Sequence, residues 1–168
     1  MKRIILMVLA LSTTILTSVY AQDAKTKVEF NKTLNAYFDT KNALAKDNTA
    51  LASTGAKNLL SSLSIFPVKS LSAAQQTTWN AQAEEIKKAA TLIVSQKDLK
   101  EQRKSFGPLS SAMLKVARAL KLNNNEVYIQ YCPMAKKSWL NEVEDIQNPF
   151  YGSQMYDCGE VTETIKRK

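Results

Sequence analysis

Four times between Val28 and Leu122 the chain places its apolar residues at steps of four and three, the spacing of a stripe along one face of an α-helix. The first stripe runs Phe30, Leu34, Tyr37, Leu44, with Lys41 in the remaining slot, and the second Ala52, Ala56, Leu59, Leu63. The third is Trp79, Ala83, Ile86, Ala90, Ile93, and the fourth Leu99, Arg103, Phe106, Leu109, Met113, Val116, Leu120. A helix with a single apolar stripe has no independent stability in water, whereas four can bury their stripes against one another. Joined by short polar connections, they predict a mainly α protein built on an antiparallel four-helix bundle.

The punctuation agrees with this division. Asp47-Asn48 interrupts the first stripe and can cap a second helix, and Pro67 ends that helix. Gly55 weakens it by about 1 kcal/mol relative to alanine. Ser72-Ala-Ala-Gln75 has the form of a capping box. Gly107-Pro108 falls inside the fourth stripe and predicts a kink or a restart there. Phe30, Tyr37, Trp79 and Phe106 read as core. Bundles that hold haem or di-iron do so with His, or with Glu and His, on inward faces. The stripes carry neither, so the interior is expected to be packing alone.

The N-terminus reads as an export signal. Lys2 and Arg3 precede the apolar run Ile4 to Leu11, and Val19-Tyr20-Ala21 offers small residues for cleavage before Gln22. Ser12, Thr13, Thr14, Thr17 and Ser18 break the run, which makes it a poor membrane anchor. No cysteine follows the cleavage point, so a lipid anchor is not expected either. The expected organisation is a signal peptide, residues 1–21, and one domain, residues 22–168, delivered to the periplasm or secreted. Within it the bundle spans 22–122 and a smaller module spans 123–168. The 23 Lys+Arg against 15 Asp+Glu give a net charge of +8. The basic residues are interleaved with acids, and the one dense run is the terminal Lys166-Arg167-Lys168 without aromatics, so a nucleic-acid partner is not expected.

The last forty-five residues change character. Val127, Ile129 and Tyr131 alternate with Tyr128 and Gln130, and Val161, Glu163 and Ile165 alternate with Thr162 and Thr164, which predicts two short strands. Cys132 follows the first and Cys158 precedes the second, so antiparallel pairing would bring the two cysteines together. Met134 lies two residues from Cys132 and Met155 three from Cys158. Two thiolates and two thioethers form a soft donor set suited to Cu(I) rather than to Mg, Ca or Mn. The same residues admit another reading, a Cys132–Cys158 disulfide favoured by an oxidising compartment and contributing about 3 kcal/mol in the chain-entropy model. In that reading the module is structural, or docks on an envelope partner through exposed aromatics and the basic tail. Catalysis is not expected. The chain has no His, neither cysteine has a partner that would activate it as a nucleophile, and the acids lie at the spacing of a solvated face.

Across this region the pattern Tyr128-x-x-Tyr131-Cys132-Pro133-Met134-Ala135, Trp139-Leu140, Ile146-x-Asn148-Pro149-Phe150-Tyr151-Gly152-x-x-Met155-x-x-Cys158-Gly159 resembles a bacterial exported domain family of unknown function. Its members occur alone and fused to the C-terminus of CusB-type adaptor subunits of copper and silver efflux pumps. Asp98-Leu99-Lys100-Glu101-Gln102-Arg103, with Phe106, Leu109 and Ser110, is similar to the bundle signature of the same family, as is Leu44 with the alanines after it. The resemblance covers nearly all of residues 25–165. It implies a role in handling Cu(I) or Ag(I), a metal-efflux or envelope protein as partner, and Cys132, Met134, Met155 and Cys158 as the metal ligands. This chain has Phe150 where relatives carry Tyr, and it lacks the His residues expected before the Arg103 segment.

Overall fold

The computed structural model describes the backbone of residues 2–167 and the side chains of residues 24–167. The side chains of the expected export signal, residues 1–21, lie outside the described residues. Four helices, α1 (Lys2–Ala45), α2 (Thr49–Ile65), α3 (Ala73–Ser95) and α4 (Leu99–Leu120), are followed by three strands, β1 (Val127–Cys132), β2 (Lys137–Asn141) and β3 (Glu160–Ile165). Each consecutive pair of helices packs together, α1 on α2, α2 on α3 and α3 on α4, as short connections require.

The helix boundaries follow local chemistry. The Asn48 side chain accepts from Leu51 N–H and starts α2, and Asp98 does the same for Glu101 N–H at α4. Ser72 and Gln75 form the expected capping box, their side chains each bonded to the other's backbone N–H. α4 runs without a break through Gly107-Pro108, so of the expected kink or restart the restart does not occur. Proline removes one rung of the ladder, and the helix is held on either side of it by fully buried Phe106 and Leu109.

Phe30, Tyr37 and Phe106 are fully buried and Trp79 nearly so. Tyr37 stacks on Phe106 with centroids 5.5 Å apart, and Trp79 on Phe66 at 3.8 Å. Gly55 lets α1 and α2 approach closely, since a Cβ there would lie 2.6 Å from the backbone nitrogen of Thr40. Gln102 is fully buried at the turn between α3 and α4, where its amide nitrogen reaches the carbonyls of Thr49, Ile93 and Gln96.

The strands form one antiparallel sheet in the order β2-β1-β3, with Ile129 opposite Leu140 in one pair and opposite Glu163 in the other. The β1–β3 pairing is the one expected from the alternation. β2 was not expected, and it supplies the sheet's contact with α4.

Candidate functional site

Pairing of β1 with β3 places Tyr131 opposite Glu160, so Cys132 and Cys158 meet just beyond that end of the ladder. Their sulfurs are 3.5 Å apart and both cysteines are free. Cys132 is fully buried and Cys158 half-buried. The turn from β1 to β2 curls back so that Ala135 N–H donates to Cys132 Sγ at 3.4 Å. Burial pushes the Cys132 thiol up. The Ala135 amide, the Cys158 thiol, the Asn148 side chain and the Met134 amide outweigh it, and the net shift is downward. Cys158 is pushed the other way, first because its thiol donates to Cys132 and then by burial. With the two thiols in contact, the negative charge is favoured on Cys132 and the proton is retained on Cys158.

Asn148 fixes the second cysteine loop. Its side-chain nitrogen donates to Cys158 carbonyl at 2.8 Å, its oxygen accepts from Phe150 and Tyr151 N–H, and its own N–H donates to Tyr156 carbonyl at 2.7 Å. Gly159 has φ +152, and a Cβ there would lie 2.9 Å from the Tyr131 carbonyl and 3.0 Å from the Trp139 ring. Glycine at that position lets the chain pass between β1 and Trp139 into β3.

The four sulfur residues do not share one environment. The cysteines are brought together, whereas Met134 is 61% exposed and Met155 37% exposed, each on the loop of its own cysteine. Trp139 is completely buried and Phe150 and Tyr151 are half-buried. Among the described residues no three His, Cys, Asp or Glu side chains are grouped to hold one metal ion. A metal site at this place has to draw on two thiols and on softer or neutral donors.

Lys41 and Arg103, which occupy slots of helical stripes in the sequence, help to hold the module on the bundle. Lys41, fully buried on α1, donates from Nζ to Asn141 Oδ1 at the end of β2 and to Gln147 Oε1 at 2.9 Å, and lies 3.2 Å from Glu142 Oε2. Desolvation lowers its pKa to about 8, against the opposing attraction of Glu142. Arg103 on α4 donates to the carbonyls of Pro149 and Leu44, at 3.0 and 2.8 Å, and pairs with Asp47. Asp47 in turn accepts from the Ser153 hydroxyl and backbone N–H. Charged residues in otherwise apolar stripes are the available signal: a buried cation needs partners, which for Lys41 lie in the C-terminal module and for Arg103 at both the α1–α2 turn and the Pro149 loop.

The family model described as "Protein of unknown function (DUF3347)" matches residues 33–125, from α1 to the approach to β1. The chain belongs to this family. No curated protein and no solved structure matches it.

Proposed function

We propose that this chain is an exported, non-catalytic protein that binds a soft monovalent ion, Cu(I) or Ag(I), at Cys132 and Cys158 and exchanges it with a metal-efflux or envelope partner. The observation that carries the reading is the pair of free thiols 3.5 Å apart, each on a loop that also carries an exposed methionine. Two sulfurs at that separation, with metal–sulfur bonds of about 2.3 Å as in zinc thiolate sites, subtend an angle of about 100° at an ion, which suits a trigonal or tetrahedral shell. Thioether donors and the lack of any His in the chain favour Cu(I) or Ag(I) over borderline divalent ions. The resemblance to domains fused to copper and silver efflux adaptors supports the same class of ion.

Within this reading Cys132 and Cys158 bind as thiolates, and Met134 and Met155 swing in to complete the shell. Ala135 N–H, which already donates to Cys132 Sγ, would stabilise its negative charge, and the Asn148 side chain favours that charge as well. Trp139, behind Gly159, closes the inner side to water. Affinity falls as pH drops, because binding displaces thiol protons.

The same sulfur separation favours a second reading, in which oxidation joins Cys132 to Cys158 as a structural staple. Metal content and thiol count on protein isolated anaerobically from its own compartment decide between the two. Stoichiometric copper or silver with two thiols that react after its removal supports the first. Absence of both metal and reactive thiols, with a mass lower by two hydrogens, establishes the second.

A further inference from the structure

A groove of about 790 Å³ lies between the N-terminal half of α4 and the loops of the C-terminal module, lined by Lys100, Arg103 and Lys104 on one side and by Lys137, Phe150 and Tyr151 on the other. Glu101 is the single acid on its wall, and it is 3.6 Å from the Lys104 ammonium. Arg103 is committed to Asp47 and to two backbone carbonyls, but Lys100 and Lys137 have no carboxylate partner among the described residues.

Lys137 is held in place without such a partner. Its ammonium is 5.5 Å from the centroid of the Phe150 ring, and its stem crosses α4 at Gly107. A Cβ at position 107 would lie 2.5 Å from Nζ and 3.4 Å from Cε, so glycine in mid-helix leaves the space this side chain uses. The Phe150 ring is also packed against Phe106 at 5.5 Å and Trp139 at 6.0 Å. Lys137, Phe106 and Trp139 thus all engage this ring, and the cations are lysines in one short groove rather than a track along a phosphate backbone.

We propose that this groove is the docking site for an acidic, extended segment of a partner protein, whose carboxylates meet Lys100, Lys104 and Lys137 and whose apolar side chains lie along Tyr151. The charge complementarity carries the choice of occupant: several cations, one acid, and the half-buried Phe150 and Tyr151 on the same wall. The inference goes beyond the sulfur site and does not depend on it. Ala135, which donates to Cys132 Sγ, also lines the groove, so a docked segment lies beside the cysteines.

The test is fluorescence anisotropy of a labelled peptide of alternating Glu and Ala, titrated with the purified chain at low and physiological salt. Saturable binding is expected. Combined Lys100→Glu, Lys104→Glu and Lys137→Glu substitution should weaken it by about tenfold or more, whereas the same change of charge at exposed Lys57, Lys87 and Lys88 on α2 and α3 should leave it within about twofold. Gly107→Ala, which alters no charge but occupies the space of Lys137, should weaken it by about threefold, with circular dichroism confirming that each variant is folded. Equal losses in the two charge-reversed chains, no loss on Gly107→Ala, tighter binding of an oligothymidine than of the peptide, or dimerisation of the chain through these lysines would each overturn the proposal.

Discussion

The Lys41 ammonium, completely buried on α1, lies 3.2 Å from Glu142 Oε2, just beyond the last residue of β2. This ion pair and the side chains of Arg103 and Asp47 are among the contacts by which the helix bundle holds the cysteine-bearing module. Lys41 fixes the β2 end through Asn141, Glu142 and Gln147. Arg103 fixes the cysteine loop through Pro149, while Asp47 at the α1–α2 turn reaches Ser153. The position of the two sulfurs therefore depends on charged residues far from them in sequence.

Lys41→Met removes the cation from Glu142, the donor from Gln147 and one of two donors from Asn141, and should cost about 2 kcal/mol or more in chemical denaturation. The pH dependence has a definite sign. With a folded pKa near 8, against about 10.4 in an unfolded chain, Lys41 releases its proton in the folded state first, so stability rises with pH between those values. Relative to Lys41→Met, the wild type should gain on the order of 3 kcal/mol across that window. A flat difference would show that Lys41 is not desolvated as described.

Gly152 has φ +57, and any Cβ there would overlap the Arg103 guanidinium and the Asp47 carboxylate. Gly152→Ala should therefore cost about 2 kcal/mol or more and speed alkylation of Cys158 by releasing its loop. Asp47 is held below the usual carboxylate range, first by the Ser153 hydroxyl bond and also by Arg103, with burial opposing. Its contribution is present above about pH 3.9 and is lost as pH falls through the lowered folded value. The stability gap between wild type and Asp47→Asn should close in that acid range.

Much of this architecture is legible in the sequence, and the parts that are not have specific causes. The four stripes, the Ser72 capping box and the β1–β3 pair all follow from period and cap chemistry. β2 escaped because Trp139, Leu140 and Asn141 are consecutively buried, one face lying on α4 and the other under the loop that follows. Such a strand shows no alternation. Gln130 alternates in sequence with apolar residues, yet it is fully buried, its amide nitrogen donating to the carbonyls of Glu144 and Asp145. The placement of both cysteines was readable from the strands that flank them, whereas the roles of Lys41 and Arg103 required the tertiary contacts.

Tyr37 joins α1 to both α4 and β2, since its hydroxyl is 2.8 Å from Ser110 Oγ and accepts from Leu140 N–H at 3.1 Å. Tyr37→Phe should cost about 1–3 kcal/mol by stranding the buried Leu140 N–H. Thermal denaturation with a parallel Ser110→Ala chain measures it, and the double variant should cost less than the two single losses together.

The exposed methionines should be separable from the fold. Met134→Leu and Met155→Leu, singly and together, are expected to change stability by less than about 0.5 kcal/mol. Each should weaken Cu(I) binding without abolishing it, because the cysteines remain. Unaltered affinity in the double variant would remove the thioethers from the site.

The central claim, that Cys132 and Cys158 together hold a soft ion, is tested most directly by anaerobic Cu(I) titration of the reduced protein against a chromophoric Cu(I) chelator, alongside Cys132→Ser and Cys158→Ser. The account predicts one Cu(I) taken up per chain, release of thiol protons on binding, and loss of uptake in either variant. Failure of the reduced wild type to compete for Cu(I), or equal uptake by the serine variants, would contradict it.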